Sequence, residues 1–254
     1  MIKKQHDIIL IDNALDESVA NEVHRHLGST EFPWFLLRDV DDEPFDKNTV
    51  NTIMLGHGVF DYERKGLPWE SESVWSLMDL VMKTCIERAV LKDLYNVSEW
   101  SPSLLPIIEY TDKDGHRNEP FKIQPIRIKC NMLMNNSKIK SKEQHNTPHT
   151  DKRDLKNRYV NSYAGIYYVN DSDGDTIIYN EKWSLDQKER PKKLTEKMRI
   201  KPKKNRFVMF DGLYYYTSTN PIENETRVVV NMNFLNGLEP HKYAKINMDE
   251  TNNI

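Results

Sequence analysis

The sequence predicts an α+β protein in which helices precede an all-β sandwich or barrel. Apolar residues recur at helical spacing in the first hundred residues, whereas after Pro106 they fall into short runs bounded by turn residues. Many short strands with regular turn signals are typical of sandwiches and barrels. The 254 residues fit one domain, with 1–105 as α/β support and 106–238 as the β core. We expect a single unit because no flexible linker separates these parts.

The N-terminal part is predicted to hold one strand and two helices. Ile8–Ile11 is an apolar run that suits a buried strand. A short helix is indicated by apolar residues at every fourth position: Leu15, Val19, Val23 and Leu27. Asp16 could cap this helix and Gly28 could end it. Residues 30–70 are expected to be loop-like, and residues 71–93 have the apolar face of a second helix.

The C-terminal part is predicted to be β-structure throughout. The candidate strands are residues 123–134, 161–170, 175–179, 198–201, 205–210, 213–217 and 226–235. A clear turn signal, DSDG at residues 171–174, separates the second and third of them.

Composition excludes several classes of protein. The net charge of -3 and the pI of about 6.3 argue against a protein that coats nucleic acid. Two cysteines, Cys85 and Cys130, give no disulfide framework and no zinc-finger spacing. The apolar run Ile8–Ile11 is too short for a signal peptide or a membrane span, so we expect a cytoplasmic protein without a membrane partner.

The stretch QHNTPHTDKRD, residues 144–154, holds the first candidate site. His149 and Asp151 are two residues apart, so in an extended segment both side chains point to one face. An imidazole and a carboxylate at one point form two-thirds of the facial triad of non-haem iron(II) oxygenases. Taken alone, the tripeptide also fits a solvated loop that holds a polar pair.

The order of motifs around this pair resembles a known family. YAGIYYVNDSDGDTIIYNE (163–181) follows the pair, and then come NRFVMFDG (205–212) and TRVVVNMNF (226–234). This order resembles the 2-oxoglutarate/Fe(II)-dependent oxygenases of the prolyl-4-hydroxylase-like group, most of all the short members from phages and marine bacteria. The resemblance implies a double-stranded β-helix, a cupin-like jelly roll with the N-terminal helices packed on one sheet. It also implies Fe(II) and 2-oxoglutarate as cofactors.

The resemblance assigns roles to individual residues. His149 and Asp151 match the first two iron ligands. Tyr168 matches a tyrosine that hydrogen-bonds the distal carboxylate of 2-oxoglutarate, and Arg227 matches the basic residue that forms a salt bridge with it. Asn131 lies where related proteins place another polar contact to the cosubstrate. The turn DGDT at residues 173–176 matches a structural turn of the family.

Structural alternatives exist for three of these residues. Tyr168 could fill the barrel interior. Arg227 could face outward and pair with Glu223 or Glu225. Asn131 could be purely structural.

The chain departs from the family at the third iron ligand. After Asp211-Gly212 the family has three residues and then a histidine, whereas this chain has Tyr216 at the histidine position. Tyr216 could bind iron as a phenolate, water could complete a site of two protein ligands, or the site could have lost oxygenase activity. In a strand, Tyr214 faces the same side as Tyr216, and Tyr215 faces the opposite side.

The substrate is not encoded in a motif. A protein side chain, a nucleobase and a small metabolite all fit the resemblance, and the alternative to an oxygenase is an inactive fold that serves as a binding or structural module. Residues 188–206 hold ten Lys or Arg against two Glu. That segment is either a solvated hairpin edge or a basic lip that guides an anionic substrate.

Overall fold

The computed structural model describes residues 7–37, 44–50, 52–61, 72–95, 123–136, 138–151, 162–184, 187 and 189–236. The elements in chain order are β1 (Ile8–Ile11), α1 (Glu17–Leu27), β2 (Phe35–Leu37), β3 (Met54–Asp61), α2 (Glu72–Tyr95), β4 (Ile123–Met134), β5 (Ser162–Tyr168), β6 (Thr176–Lys182), β7 (Glu196–Ile200), β8 (Arg206–Asp211), β9 (Tyr214–Ser218) and β10 (Thr226–Asn236).

The described strands form two antiparallel sheets. The large sheet has seven strands in the order β1-β8-β5-β10-β4-β3-β2, and the small sheet has three in the order β7-β6-β9. One buried apolar cluster contains residues of both sheets, so the sheets pack face to face. The architecture is therefore jelly-roll-like. No helix in the described ranges is long and apolar enough to cross a membrane.

Strand β10 is the centre of the large sheet and is buried on both faces. Its outward residues, Val228, Val230, Met232 and Phe234, belong to the larger apolar core, to which α1 and α2 contribute. The outward face of β10 is therefore apolar throughout, whereas its inward face carries Arg227, Asn231 and Asn233. Its inward residues face the small sheet, where the candidate site lies.

The described elements confirm most of the predicted strands and helices. β1 and β4 have the predicted bounds, and α2, β5, β8, β9 and β10 differ from theirs by one or two residues. β6 extends three residues beyond its predicted end, to Lys182. Residues 106–122 of the predicted β part lie outside the described residues.

The prediction that residues 30–70 are loop-like is wrong for two segments. β2 and β3 extend the large sheet beyond β4, with Met54 paired to Leu133 and Leu37 paired to Met54. Glycines at 56 and 58 hide β3 in the sequence, because glycine lowers the strand propensity of a segment. Pairing with the long neighbour β4 supplies the stability that the segment lacks on its own.

Helix α1 begins and ends where the sequence predicts, but its cap works differently. Asp16 occupies the N-cap position without a side-chain capping hydrogen bond. Its carboxylate instead accepts a hydrogen bond from Arg88 of α2 at 3.1 Å, which ties the two helices together.

Candidate functional site

Strand register brings the polar candidates onto one face of the large sheet. Val229 of β10 is paired with both Asn131 of β4 and Tyr168 of β5, so the three side chains share a face. Arg227 and Asn233 are separated from Val229 by even numbers of residues and point the same way. This face covers the apolar cluster between the sheets, so the candidates line the interior of the sandwich.

A hydroxyl network surrounds Arg227. The Nη2 of Arg227 donates a hydrogen bond to the Thr176 Oγ1 at 2.8 Å, and the Tyr168 hydroxyl donates to the same oxygen at 2.7 Å. All three side chains are buried, with Arg227 only 4% exposed. The guanidinium carbon lies 5.7 Å from the centroid of the Tyr168 ring. Tyr168 therefore contacts Arg227 as well as filling the interior.

Arg227 is a buried cation without a carboxylate partner among the described residues. Its Nε is buried and has no hydrogen-bond partner there. Burial lowers the pKa of the guanidinium from its ordinary value, although Tyr168 and Asp175 oppose the change. Outward pairing with Glu223 or Glu225 is excluded by the position of the side chain. A buried charge of this kind is costly, and a bound anion would offset the cost.

Asn131 and two glycines complete this end of the interior. The Oδ1 of Asn131 is buried and has no partner among the described residues. A Cβ on Gly56 would come within 3.3 Å of that oxygen, and a Cβ on Gly174 within 3.1 Å of the Arg227 Cδ. The Leu37 Cδ1 would lie closer still to a Cβ on Gly56, and the Thr219 carbonyl oxygen, at 2.7 Å, to a Cβ on Gly174, so close packing on several sides requires both glycines.

The carboxylate of Asp151 is held by three donors from three strands. Its Oδ2 accepts hydrogen bonds from the Tyr216 hydroxyl of β9 at 2.7 Å and from the Asn233 Nδ2 of β10 at 2.8 Å. Its Oδ1 accepts one from the Arg127 Nη2 of β4 at 3.2 Å. Burial alone would raise the pKa of Asp151, but Arg127, His149, Asn233 and Tyr216 outweigh it and hold the pKa below its ordinary value.

His149 lies beside Tyr216 on the small sheet. The two residues exchange backbone hydrogen bonds of 3.0 and 2.9 Å, and their rings lie 4.7 Å apart. The His149 Nδ1 lies 3.1 Å from the Thr147 carbonyl, which can only accept, so Nδ1 carries the proton in the neutral ring. The Nε2 is then the nitrogen with a free lone pair, as in most metal-binding histidines.

The donor set fits a metal ion with two protein ligands. His149 offers Nε2 and Asp151 offers an ionised carboxylate, while no group of three His, Cys, Asp or Glu side chains suited to a metal occurs in the described ranges. Tyr216 occupies the position that the motif order gives to a third ligand, but its hydroxyl donates to Asp151. Burial, reinforced by Asp151, raises the pKa of Tyr216 well above 10.

The neighbouring tyrosines face the sides that strand alternation predicts. Tyr214 and Tyr216 belong to the apolar cluster between the sheets, whereas Tyr215 packs in a separate cluster with Ile177 and Tyr179.

Three residues of the site were absent from the sequence prediction. Thr176 belongs to a turn for which the sequence predicts a structural role, yet its hydroxyl joins Tyr168 to Arg227. Arg127 and Asn233 are separated by even numbers of residues from Asn131 and Arg227, respectively. Alternation along each strand was the signal that could have placed them on the inner face.

The basic segment 188–206 has internal partners for several of its cations. The described ion pairs include Lys197–Asp7, Arg199–Glu196, Lys203–Asp12 and Arg206–Asp12. These pairs favour the role of a solvated edge attached to the N-terminal strand.

Comparisons with known proteins identify the fold. No protein-family model and no curated protein matches the chain. Similar solved structures include the non-heme alpha ketoglutarate dependent carbocyclase SnoK from nogalamycin biosynthesis, with a TM-score of 0.55 and 9% identity over 91% of this chain and 79% of that one. A structure of the epimerase SnoN with Fe3+, alpha ketoglutarate and nogalamycin RO gives a TM-score of 0.53 and 10% identity over 94% and 84% of the two chains.

A third similar structure is an oxidoreductase of the 2OG-Fe(II) oxygenase family from Burkholderia pseudomallei. Its TM-score is 0.52, with 10% identity over 90% of this chain and 85% of that one. Identities this low carry information about architecture alone. The chain thus has the fold of the 2-oxoglutarate- and Fe(II)-dependent oxygenases.

Proposed function

We propose that this chain is a 2-oxoglutarate/Fe(II)-dependent oxygenase of the prolyl-4-hydroxylase-like type with a modified metal site, built on a double-stranded β-helix. The observation that carries the proposal is the buried Arg227 guanidinium, whose Nε has no partner in the described part of the chain. Such a cation inside an oxygenase fold supports a pocket for the distal carboxylate of 2-oxoglutarate.

The residues divide into two groups with separate tasks. Arg227, Thr176 and Tyr168 would bind the distal carboxylate, because a guanidinium and two hydroxyls are suited to carboxylate oxygens. Asn131 would contact the cosubstrate with its amide. His149 and Asp151 would hold Fe(II). With Fe(II) and 2-oxoglutarate bound, dioxygen would be the oxidant: one oxygen atom would convert 2-oxoglutarate to succinate and carbon dioxide, and the other would hydroxylate a C–H bond of the substrate.

The surroundings of each group support its task. Arg127 and Asn233 keep Asp151 ionised, and the Thr147 carbonyl fixes the His149 ring in the tautomer that leaves Nε2 free. Apolar side chains of both sheets, including Ile166 of β5 and Ile178 of β6, exclude water from the interior. The proposal admits hydroxylation substrates of three classes: protein side chains, nucleobases and small metabolites.

The binding step is tested by titrating 2-oxoglutarate into the anaerobic Fe(II)-loaded protein and into the Arg227→Met variant. We expect the variant to lose about 30-fold or more in affinity, because breaking a buried charge pair costs about 2–5 kcal/mol. Lys192→Met, which removes an exposed cation, is the matched control and should bind like the original protein.

Succinate release separates an oxygenase from an inactive fold. Wild-type protein that binds 2-oxoglutarate and Fe(II) but releases no succinate, with or without candidate substrates, would be a binding module. Wild-type protein that binds neither would contradict the proposal altogether.

A further inference from the structure

The clamp on Asp151, formed by Arg127, Tyr216 and Asn233, joins the two sheets at the candidate metal site. Tyr216 comes from the small sheet, whereas Arg127 and Asn233 come from neighbouring strands of the large sheet. Asp151 itself follows His149, whose backbone is bound to Tyr216. The Asp151 carboxylate is therefore the point at which three strands and one loop meet.

Tyr216 is fixed from several directions. Its backbone is bound to His149, its ring packs edge-on against Phe210 with centroids 5.2 Å apart, and it lies against the His149 ring. Its hydroxyl then reaches Asp151 Oδ2 at 2.7 Å. A hydroxyl at that distance from an ionised carboxylate donates its proton, so its oxygen is not presented as an anionic ligand.

Tyr216 and Asn233 both donate to Oδ2, so among the described residues Oδ1 accepts only the longer hydrogen bond, 3.2 Å, from Arg127. Tyr216 and Asn233 thus set the rotation of the carboxylate and the direction of Oδ1. Outer hydrogen bonds of this kind orient metal ligands, and their loss typically costs 10–100-fold in metal affinity.

We propose that Tyr216, although it replaces a ligand, is a positioning residue that orients the Asp151 carboxylate for a metal held by His149 and Asp151. This inference rests on the proposed function for its metal. The orientation of Asp151 by Tyr216 is also measurable in the metal-free protein.

The first test compares Co(II) binding by the wild-type protein with that of Tyr216→Phe and Tyr215→Phe. Phenylalanine keeps the ring packing of Tyr216 and removes only its hydroxyl. We expect Tyr216→Phe to weaken Co(II) binding about 10–100-fold, with the shape of the Co(II) d–d spectrum unchanged because no ligand is lost. Tyr215→Phe removes a hydroxyl that bonds Gln187 outside the site, and it should bind Co(II) like the original protein.

Two results would overturn the inference. One is equal Co(II) affinity in Tyr216→Phe and the wild-type protein. The other is a phenolate-to-Fe(III) charge-transfer band in the ferric protein that disappears in Tyr216→Phe, because that band requires tyrosine ligation.

The second test uses metal-free protein and separates this inference from the proposed function. We expect Tyr216→Phe to lower the Tm by about 3–10 °C, the range for one charge-assisted hydrogen bond in a chain of this size. In the Asp151→Asn background the loss should be much smaller, whereas Tyr215→Phe should have the same effect in both backgrounds. If Tyr216→Phe lowers the Tm as much in the Asp151→Asn background as in the wild-type protein, Tyr216 does not position Asp151, whatever the outcome of metal binding.

Discussion

Arg227 lies in the interior with no carboxylate partner in the described part of the chain, and this arrangement predicts how the stability of the ligand-free protein responds to substitution. Replacing a buried ion pair with apolar side chains of similar volume is often neutral or stabilises a protein by about 1–4 kcal/mol, and a buried charge without a partner is more costly than a paired one. We expect Arg227→Met to raise the free energy of unfolding of the ligand-free protein by about 1–3 kcal/mol in denaturant titrations. The exposed Lys192→Met variant should show no gain.

The stability of the wild-type protein and of Arg227→Met can also be compared in the presence of 2-oxoglutarate. Saturating 2-oxoglutarate should stabilise only the protein that keeps Arg227, by about 2.7 kcal/mol at one hundred times the Kd. A large destabilisation of ligand-free Arg227→Met would mean that the guanidinium is a structural support instead of a binding group.

Tyr216 shows what the sequence could and could not predict at the residue scale. The motif order placed Tyr216 at the third-ligand position, and strand alternation gave its direction. Its hydrogen bond to Asp151 could not be predicted, since it depends on how closely the two sheets approach and on Asn233, a strand away. The same holds for Thr176, whose importance depends on the buried cation beside it.

Helices and strands whose own apolar residues form a pattern were predictable from the sequence, whereas strands that depend on pairing with a neighbouring strand were not. β1, β4 and both helices carry their signal in their own apolar residues. β3 contains two glycines and is held by register with β4, and β2 is only three residues long. The predicted capping hydrogen bond of Asp16 is absent for a similar reason, because the Asp16 carboxylate accepts a hydrogen bond from Arg88 of α2 instead.

Asp173 fixes the connection that leads into β10. Its carboxylate accepts hydrogen bonds from the backbone amides of Ile222, Glu223 and Asn224 at 3.0–3.2 Å. Burial alone would raise the pKa of Asp173, but these hydrogen bonds outweigh it and leave the pKa lowered. Its contribution to stability is therefore complete above the unfolded pKa of about 4 and is lost as the pH falls through the lower folded value.

We expect Asp173→Asn to reduce the free energy of unfolding by about 1–3 kcal/mol at pH 7. The difference from the original protein should shrink as the pH falls below about 4, because the carboxylate is protonated first in the unfolded chain and then, at its lower pKa, in the native protein. Denaturant titrations at pH 7 and pH 3 measure both values. Glu225→Gln, an exposed residue nearby, is the control for the change in charge, and an equal loss at both pH values would contradict the explanation.

At the scale of the whole molecule, ion pairs attach the basic segment to the N-terminal strand. Asp12 accepts two hydrogen bonds from Arg206, at 2.6 and 3.0 Å, and one from Lys203 at 3.1 Å. These groups are partly exposed, with Asp12 35% exposed, so water and salt screen them.

We expect Asp12→Asn to cost about 1 kcal/mol or less in free energy of unfolding at low ionic strength. The cost should fall further in 1 M salt, where the Debye length is about 3 Å. Glu225→Gln again controls for charge. A cost that does not change with salt would show that Asp12 acts through packing or backbone geometry.

β10 carries Arg227 and Asn233 on one inner face, and the even spacing between them constrains insertions and deletions. A single-residue insertion between these positions would turn one of the two side chains toward the helix-covered core. A two-residue insertion would keep both facing inward but move them about 7 Å further apart. The surroundings of Arg227 and the Asp151 clamp are therefore held in phase by the length of one strand, so changes in chain length are better tolerated in the loops than within β10.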